Sequence, residues 1–467
     1  MKKQLLLSSL IATSMLLTGC SVSANNSTNN SESASEDTSS LDESKKSAYT
    51  VMIYLCGSDL ESGYDSYYDS TNTAKASFAT ADITEILSVK NKPDNVNIII
   101  ETGGARAWNK KYGISADKIG RWHVENNKLV NDAQLNYTAM GSTTTFQSFL
   151  EWGLKEYPAE KTGVILWNHG GAMRGVCYDE TTKGNDDPLL NSEVQSALAG
   201  AFKNTGREEK LEWIGYDACL MQVQDIAEAN SKYFNYMVAS QESEAGEGWA
   251  YNTWLDDLYA GKSTDTILTA MCDGFVDAFD EQYSGYDNDQ TLSYLNLSYM
   301  SEYKTAWENF SEQLSSKVKT YTKSKFHTLM KKVKEYGTTV YTKSDLQEMG
   351  LSTNTSSEDY FGNYGIEQVG NYYYDWGYNY FGVFDVKDML SKIKSDSAFS
   401  SLSSYISAVE SAYNNLVSYN AKGDQAGNSN GLSAFFPLSS DCKKATYYSA
   451  SQTNFTKYRS FVNTYGA

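Results

Sequence analysis

One histidine and one cysteine stand where the residue types and spacing could support catalysis. His169 is one of three histidines among 467 residues, and it follows an apolar run, Val164–Trp167, that stops at Asn168. Cys219 closes a second apolar segment, I-G-Y-D-A-C at 214–219, about fifty residues later. A thiolate attacks acyl carbon readily and an imidazole transfers protons near neutral pH. The two groups are therefore the minimal parts of a cysteine nucleophile system.

Two glycines, Gly170 and Gly171, come directly after the histidine. Glycine has no Cβ, so backbone N–H groups beside it can approach a negatively charged oxygen closely. The segment W-N-H-G-G thus joins a proton-transfer group to a backbone that can bind an oxyanion.

Alternating strand and helix patterns must position these residues. Continuous apolar runs of strand length are typical of strands covered on both faces, as in a parallel sheet. The pattern predicts an α/β sandwich with a mostly parallel sheet, whose site lies at the carboxyl ends of its strands. If the strands before His169 and Cys219 are neighbours, both side chains emerge at one sheet edge. We predict strands at 49–56, 96–101, 163–167, 211–216 and 236–240, a hairpin at 118–135, and helices at 81–89, 144–157, 192–202, capped by Asn191, and 222–233.

After Trp249, long helical patterns replace the alternation of strand and helix patterns. We place a boundary between a catalytic core at 49–258 and a C-terminal mixed helical region at 259–467. Within the second part, a late strand is expected near 431–437, and the Tyr-rich segment 360–381 is interpreted as packed surface, with glycan or peptide stacking as the alternative. Helical patterns cover 263–283, 299–319, 324–336, 385–394 and 397–419.

The N-terminus has the pattern of an export signal. Two lysines precede a short apolar stretch, Leu5–Leu17, which is shorter than a membrane span. The small residues before Cys20 resemble a bacterial lipobox, so we expect residues 1–19 to be removed and Cys20 to carry lipid. A plain secretory signal is the alternative. Residues 20–48 are nearly devoid of apolar side chains and are predicted to be a disordered tether.

Charge and cysteine content exclude several function classes. The formal net charge is −19, which argues against a nucleic-acid partner, because phosphate binding needs a basic surface. Beyond Cys20, five cysteines remain and none forms a C-x-x-C pair, so a dense disulfide framework or a thiolate zinc site is not expected. Cys56 and Cys272 are predicted to pack in the core, and Cys442 is predicted to be exposed.

The two segments together resemble the clostripain-like cysteine peptidases, which share the caspase-like fold. The resemblance is clear over about 49–255 and thin beyond. It implies a caspase-like α/β sandwich and a peptidase, and it leads us to expect a monomer held outside a bacterial cell only by its lipid. The segments that carry it are W-N-H-G-G, G-Y-D-A-C, V-M-I-Y-L-C-G-S-D-L-E, A-S-Q-E at 239–242, G-E-G-W at 246–249, and G-L-S with F-P at 431–437.

Site roles follow from that resemblance, residue by residue. It implies that His169 is the general acid, that Cys219 is the nucleophile, and that Gly170 and Cys219 contribute backbone N–H groups to the oxyanion hole. Asp217 matches an acidic position that selects arginine or lysine at P1, and Glu247 lies at a second acidic position. The expected substrates are thus peptides or proteins with a basic P1 side chain, because carboxylates pair selectively with such cations.

The resemblance also implies self-cleavage after a basic residue between the two segments. Lys183 is the only basic residue between Arg174 and Lys203, and it lies among small and acidic residues of an exposed type. The same loop contains four acids, and calcium sites use several carboxylates, so a calcium site is one interpretation of the loop. The four acids are Asp179, Glu180, Asp186 and Asp187. Their spacing is not that of an EF-hand. We therefore expect a solvated loop and no required cofactor, with calcium as the alternative.

Three alternatives stay open at this point. His169 and Cys219 are each compatible with a purely structural role, as a hydrogen-bonded histidine and a buried small thiol. The whole chain is compatible with a surface binding lipoprotein on a peptidase-like scaffold without turnover. A third hypothesis keeps the catalytic pair but changes the P1 preference to acidic or apolar side chains.

Overall fold

The computed structural model describes residues 46–63, 76–182, 187–337, 381–446 and 448–467, together with three short strands at 340–342, 366–369 and 372–375. The predicted signal, the lipidation residue Cys20, most of the tether, Lys183, and more than half of the Tyr-rich segment 360–381 lie outside the described residues. Within the described part, no helix has both the length and the apolar character that crossing a membrane requires.

The described residues form the strands and α-helices given below, and the two types alternate along much of the first half of the chain. The strands are β1 (Ser47–Cys56), β2 (Val96–Gly103), β3 (Lys118–Glu125), β4 (Lys128–Asn136), β5 (Ala159–Trp167), β6 (Val176–Asp179), β7 (Asp187–Leu189), β8 (Leu211–Asp217), β9 (Phe234–Ala239), β10 (Thr291–Asn296), β11 (Glu335–Tyr336), β12 (Val340–Thr342), β13 (Ile366–Val369), β14 (Tyr372–Asp375), β15 (Val383–Asp385), β16 (Val417–Lys422) and β17 (Ser433–Phe435). The α-helices are α1 (Ser58–Ser62), α2 (Phe78–Ser88), α3 (Thr143–Glu156), α4 (Asn191–Thr205), α5 (Gln224–Asn230), α6 (Tyr251–Tyr259), α7 (Thr264–Gln282), α8 (Met300–Tyr321), α9 (Lys323–Met330), α10 (Val386–Ser395), α11 (Ser403–Leu416), α12 (Ser440–Thr446) and α13 (Thr456–Tyr465).

A nine-stranded sheet in the order β16-β10-β9-β8-β5-β1-β2-β3-β4 forms the centre of the molecule. Its five middle strands, from β9 to β2, are parallel, and antiparallel strands flank them on both sides. The predicted α/β sandwich with a mostly parallel sheet is therefore confirmed. The five predicted strands of the first half and the 118–135 hairpin are all present.

The sheet separates two layers of apolar core. Along β1, successive side chains alternate between the layers: Met52, Tyr54 and Cys56 join one cluster, and Val51, Ile53 and Leu55 join the other. This alternation is the period-two geometry of a strand, and both faces are apolar because helices cover both sides. Helices α3 and α4 pack in the first layer, and α2, α6 and α7 pack in the second.

The C-terminal part contributes to this same sheet. Strand β10 pairs with β9, and β16 pairs with β10, so sheet pairing crosses the boundary that we predicted at residue 258. The predicted late strand is present as β17, which joins a small sheet with β15 and β11. The division into a core and a C-terminal region stays a prediction from sequence character.

Three local predictions in the helices are wrong. The helix expected at 324–336 ends at Met330, and the one expected at 397–419 becomes strand β16 at Val417, because pairing with β10 overrides local propensity. Asn191 does not cap α4: Leu190 occupies the cap position, and the Glu193 side chain accepts a hydrogen bond from its N–H. The Asn191 amide instead donates to the carbonyl of Gln452.

Five cysteines lie in the described residues, and all five are buried free thiols: Cys56, Cys177, Cys219, Cys272 and Cys442. The core placement of Cys56 and Cys272 is confirmed. The prediction that Cys442 is exposed is wrong, since its side chain is 1% exposed. Its sulfur packs directly against Gly382, where an added Cβ would lie 2.9 Å away.

Candidate active site

The carboxyl ends of β5 and β8 bring the histidine and cysteine segments together. The two strands are adjacent and parallel, and Trp167 is the register partner of Asp217. Beyond the strands, an added Cβ at Gly170 would lie 2.1 Å from the carbonyl oxygen of Cys219, so the two loops touch through their backbones. His169 and Cys219 both line one solvent-open pocket with about 310 Å³ of empty space.

Asn168 is the residue that fixes the histidine loop to its neighbours. Its backbone N–H donates to the carbonyl of Asp217 at 3.2 Å, and its side-chain amide donates to the carbonyl of Cys56 at 2.8 Å. Its amide oxygen accepts from the N–H of Tyr178 at 2.7 Å. One buried residue thereby joins the ends of β1, β5 and β8 with strand β6.

Asp59 holds the imidazole of His169. Its Oδ1 lies 2.7 Å from Nε2 of the histidine, and Asp59 reaches it from α1, directly after β1. Burial opposes ionisation of Asp59, but the charge and hydrogen bond of His169 and a hydrogen bond from Ser58 outweigh it, and the pKa of Asp59 falls to about 2. The carboxylate is thus ionised at neutral pH and fixes the orientation of the ring.

Strained backbone marks the three loops that meet here. Ser58, Ala172 and Leu220 have φ values of 49°, 52° and 67°, in the left-handed region that non-glycine residues seldom adopt. Each lies within three residues of His169, Cys219 or Asp59. Such strain persists only where surrounding contacts impose it, and it concentrates at functional sites.

The sulfur of Cys219 is held by the segment after β9. The backbone N–H of Glu244 donates to Sγ at 3.2 Å, and the next residue, Leu220, donates its N–H to the carbonyl of Glu242 at 3.1 Å. The side chain is 8% exposed. Burial, followed by the nearby charge of Glu244, raises the pKa of the Cys219 thiol to about 12, so the unliganded site holds a neutral thiol.

Backbone N–H groups for an oxyanion are available beside the sulfur. Within the part of the chain that the structure describes, neither Gly170 nor Cys219 donates its N–H to a protein acceptor. The two residues are in backbone contact, so their N–H groups lie in the same small region of the structure. This is the arrangement expected of an oxyanion hole.

Carboxylates converge on the other side of the pocket. Asp217 is buried, and it accepts hydrogen bonds from the Tyr251 hydroxyl at 2.9 Å and the Trp249 N–H at 3.2 Å. Burial raises its pKa despite these bonds. Glu244 also lines the pocket, whereas Glu247 does not, and one Glu247 oxygen accepts from the hydroxyl of Tyr283.

The acidic loop after β6 is partly tied into the fold. Asp179 accepts hydrogen bonds from Tyr137, the N–H of Met140 and Thr181, and Glu180 accepts from Ser62 and the N–H of Arg106. Among the described residues, no group of three or more His, Cys, Asp or Glu side chains has the arrangement of a metal site. Lys183 and Asp186 lie outside the described residues, so calcium binding and cleavage at Lys183 stay predictions.

Sequence reasoning found His169, Asp217 and Cys219 at this pocket and Gly170 in backbone contact with Cys219, and it missed three other residues. Asp59 and Asn168 position the histidine loop, and Glu244 faces the pocket. Asp59 lies 110 residues before His169, so no local pattern links them. The one available signal was the placement of Asp59 directly after a predicted buried strand.

Comparisons with known proteins show the family of this chain and proteins that share its fold. The sequence model of the clostripain family matches residues 66–464. Clostripain of Hathewaya histolytica is 25% identical over 395 residues, which cover 75% of this chain and 67% of that protein. A secreted C11 cysteine protease from Bacteroides thetaiotaomicron superimposes with a TM-score of 0.56 at 15% identity, covering 89% of this chain and 99% of that one. An inactive zymogen C11 protease from Parabacteroides distasonis gives 0.52 at 17% identity, covering 88% and 98%.

Proposed function

Because this chain belongs to the clostripain family, and is therefore a cysteine endopeptidase, we propose that Cys219 is its nucleophile and His169 its general acid, and that it cuts after arginine or lysine. One observation carries the proposal: the ends of two adjacent parallel strands bring both side chains to one pocket that also contains buried carboxylates. A thiol, an imidazole and acidic side chains in one pocket are the groups that cleavage after a basic residue requires.

Each step of acyl transfer has a group in this pocket. His169 takes up the thiol proton as the Cys219 sulfur attacks the scissile carbonyl carbon, and the developing oxyanion is stabilised by the N–H groups of Gly170 and Cys219. His169, oriented by Asp59, protonates the leaving amine as the C–N bond breaks. Water then hydrolyses the thioester and restores the thiol.

The acids beside the nucleophile support a basic P1 side chain. Asp217 is buried at the pocket wall, and none of the described residues that line the pocket is lysine or arginine. A cationic side chain of the substrate would therefore supply the missing positive charge. Glu247 is proposed to reinforce the negative potential from outside the pocket.

Export and maturation complete the proposal. The lipobox-like segment before Cys20 supports a lipid anchor on the outer face of a bacterial cell, and the tether would let a monomeric enzyme reach peptides there. Lys183 is proposed as the self-cleavage position. Lys183 lies between β6 and β7 in the sequence, and Val176 of β6 pairs with Gly170, so a cut between these strands would loosen a segment that borders the site.

A thiol-reactive peptidyl-arginine probe tests the assignment on the purified mature chain. We expect labelling of the wild type, loss of labelling in Cys219→Ala, and retention in Cys177→Ala, which removes another buried thiol that does not line the pocket. Intact mass and N-terminal sequencing of the same samples report cleavage after Lys183, which should be absent in Cys219→Ala. Labelling that survives Cys219→Ala, or that an acidic or leucyl probe achieves better than the arginyl one, would overturn the assignment.

A further inference from the structure

Helix α1, which carries Asp59, is too short to hold that residue in place by itself. It spans five residues, Ser58–Ser62, and it begins without a side-chain cap. A single turn of helix fixes its backbone in exchange for few hydrogen bonds and is unstable alone. The helix nevertheless places Asp59 Oδ1 at 2.7 Å from Nε2 of His169. Contacts outside α1 must therefore set the position of the carboxylate that orients the imidazole.

The carboxylate of Glu61, on the same helix, makes three such contacts. Glu61 is fully buried. Its Oε2 accepts the backbone N–H of Thr80 at 2.9 Å, and its Oε1 accepts the Thr80 hydroxyl at 2.7 Å and the backbone N–H of Asn109 at 2.8 Å. These three donors compensate a carboxylate that would otherwise be costly to bury. Glu61 thereby joins α1 to the start of α2 and to the loop that follows β2.

Glu61 also caps α2 from an earlier part of the chain. The first N–H groups of a helix lack an acceptor within the helix, and the side chain of the preceding residue commonly supplies one. Ser77 precedes α2, but its φ is 65° and its side chain makes no capping hydrogen bond. The N–H of Thr80, the third residue of α2, donates to Glu61 instead. Loss of the Glu61 carboxylate would leave this buried N–H without its acceptor and release α1 from α2.

A second carboxylate holds the last residue of α1. The Ser62 hydroxyl donates to Oε1 of Glu180, and the same oxygen accepts the backbone N–H of Arg106 at 2.9 Å. Neither Glu61 nor Glu180 is among the described residues that line the pocket. Of the two, Glu61 lies on α1 itself, two residues after Asp59, so a displacement of Glu61 moves Asp59 directly.

Resting on the assignment of His169 as the general acid in the proposed function, we propose that Glu61 is a positioning residue for catalysis. It fixes α1, so that Asp59 holds the imidazole in the orientation that proton transfer needs. Apart from Leu60, the described residues that line the pocket belong to the ends of β5 and β8 and to the segment after β9. Displacement of α1 should therefore reduce kcat more than it changes KM.

Steady-state kinetics on an arginyl reporter peptide test the proposal, with kcat expressed per Cys219 titrated by the thiol-reactive probe. Because both Glu61 oxygens accept hydrogen bonds, glutamine places an N–H₂ group against one of the donors. We expect Glu61→Gln to lower kcat on the order of tenfold and to change KM less than about threefold. In the Asp59→Asn background the same substitution should lower kcat less than about twofold further, because its route to His169 is already lost. Losses that multiply would overturn the proposal, since a merely structural effect does not need Asp59.

Two further variants accompany Glu61→Gln. Glu101→Gln is the matched control, since Glu101 is also fully buried, accepts a hydrogen bond from Nε of Arg121 at 2.7 Å and does not line the pocket. It should lower the melting temperature and leave kcat within about twofold. Thr80→Val removes one of the three donors to Glu61 and keeps the side-chain shape, so it should lower kcat about threefold to fivefold even if Glu61→Gln does not fold. An unchanged kcat in Thr80→Val, or a tenfold loss in Glu101→Gln, would contradict the proposal.

Histidine NMR separates this proposal from the proposed function. The chain has three histidines, so ¹⁵N-histidine labelling gives three imidazoles, and His169→Ala identifies the ring signals of His169. Both Glu61→Gln and Asp59→Asn should shift these signals and leave those of His123 and His327 in place. If the shift occurs but the wild type cleaves no reporter, the proposed function fails and the positioning role of Glu61 stands. If the His169 signals are the same in Glu61→Gln and the wild type, the positioning role is refuted.

Discussion

Substituting Gly170 by alanine should impair catalysis far more than it impairs folding. An alanine Cβ would lie 2.1 Å from the carbonyl oxygen of Cys219, whereas ordinary contacts begin near 3.4 Å. The shortfall of about 1.3 Å involves backbone on both sides, so no side-chain rotation relieves it. The two loops would have to move apart, and two backbone hydrogen bonds resist this movement. The N–H of Cys177 donates to the carbonyl of His169 at 3.2 Å, and the N–H of Leu220 donates to the carbonyl of Glu242 at 3.1 Å.

The size of the effect follows from that displacement. A shift of about 1 Å in reacting groups costs on the order of 10²-fold in rate, and overpacking costs roughly 1–3 kcal/mol of stability. We therefore expect Gly170→Ala to remain folded, with a lowered melting temperature, and to lose at least about 10²-fold in kcat/KM on an arginyl reporter peptide.

A second glycine provides the matched control. Gly206 ends α4 with a φ of 65°, and no atom lies within 4 Å of an added Cβ, so Gly206→Ala introduces strain without contact at the site. It should lose about 1 kcal/mol of stability and keep its activity. If Gly170→Ala retains activity within about threefold, the two loops are not in backbone contact, and Gly170 and Cys219 do not share an oxyanion region.

Three further predictions concern charged residues at or beside the site. Asp59 has a lowered pKa in the folded state, so it adds to the free energy of unfolding above its unfolded-state pKa near 4, and this contribution is lost as the pH falls toward about 2. Asp59→Asn should therefore make the free energy of unfolding depend less on pH over that range. The same substitution should reduce kcat with little change in KM. Asp217 has a raised pKa, so the folded state binds more protons than the unfolded state and the free energy of unfolding falls as the pH rises above about 4. Asp217→Asn should remove this pH dependence, raise the melting temperature at pH 8 and impair cleavage after arginine. A melting temperature at pH 8 below that of the wild type would contradict the prediction. Lys183→Ala should abolish the predicted cut in intact-mass spectra while leaving probe labelling of Cys219 intact, and two chains cut at the same loop in this variant would exclude Lys183.

The central strands and several site residues of this protein can be predicted from residue patterns. The apolar runs before His169 and Cys219 predict two buried strands, since strands covered on both faces are apolar throughout. Parallel strands end at a common edge, which predicts that the imidazole and the thiol lie close together. Asp217 and Gly170 followed because they are immediate neighbours of these ends. Local chain patterns thus determined the strands, the edge and the residues beside it.

Other features depended on packing between distant segments. Val417–Lys422 is a strand because β10 offers it an unpaired edge, although its own pattern continued a helix. Asp59 meets His169 across 110 residues, and Glu244 faces Cys219 from the next strand's loop. Which groups contact Asp217 and Glu244, and that burial raises the pKa of both carboxyls, is set by the surroundings that folding assembles. The sequence alone determined which chemical groups the sheet edge carries; only the tertiary structure decided which of them are held, buried or open to a ligand, because hydrogen bonding and desolvation are properties of the assembled surroundings.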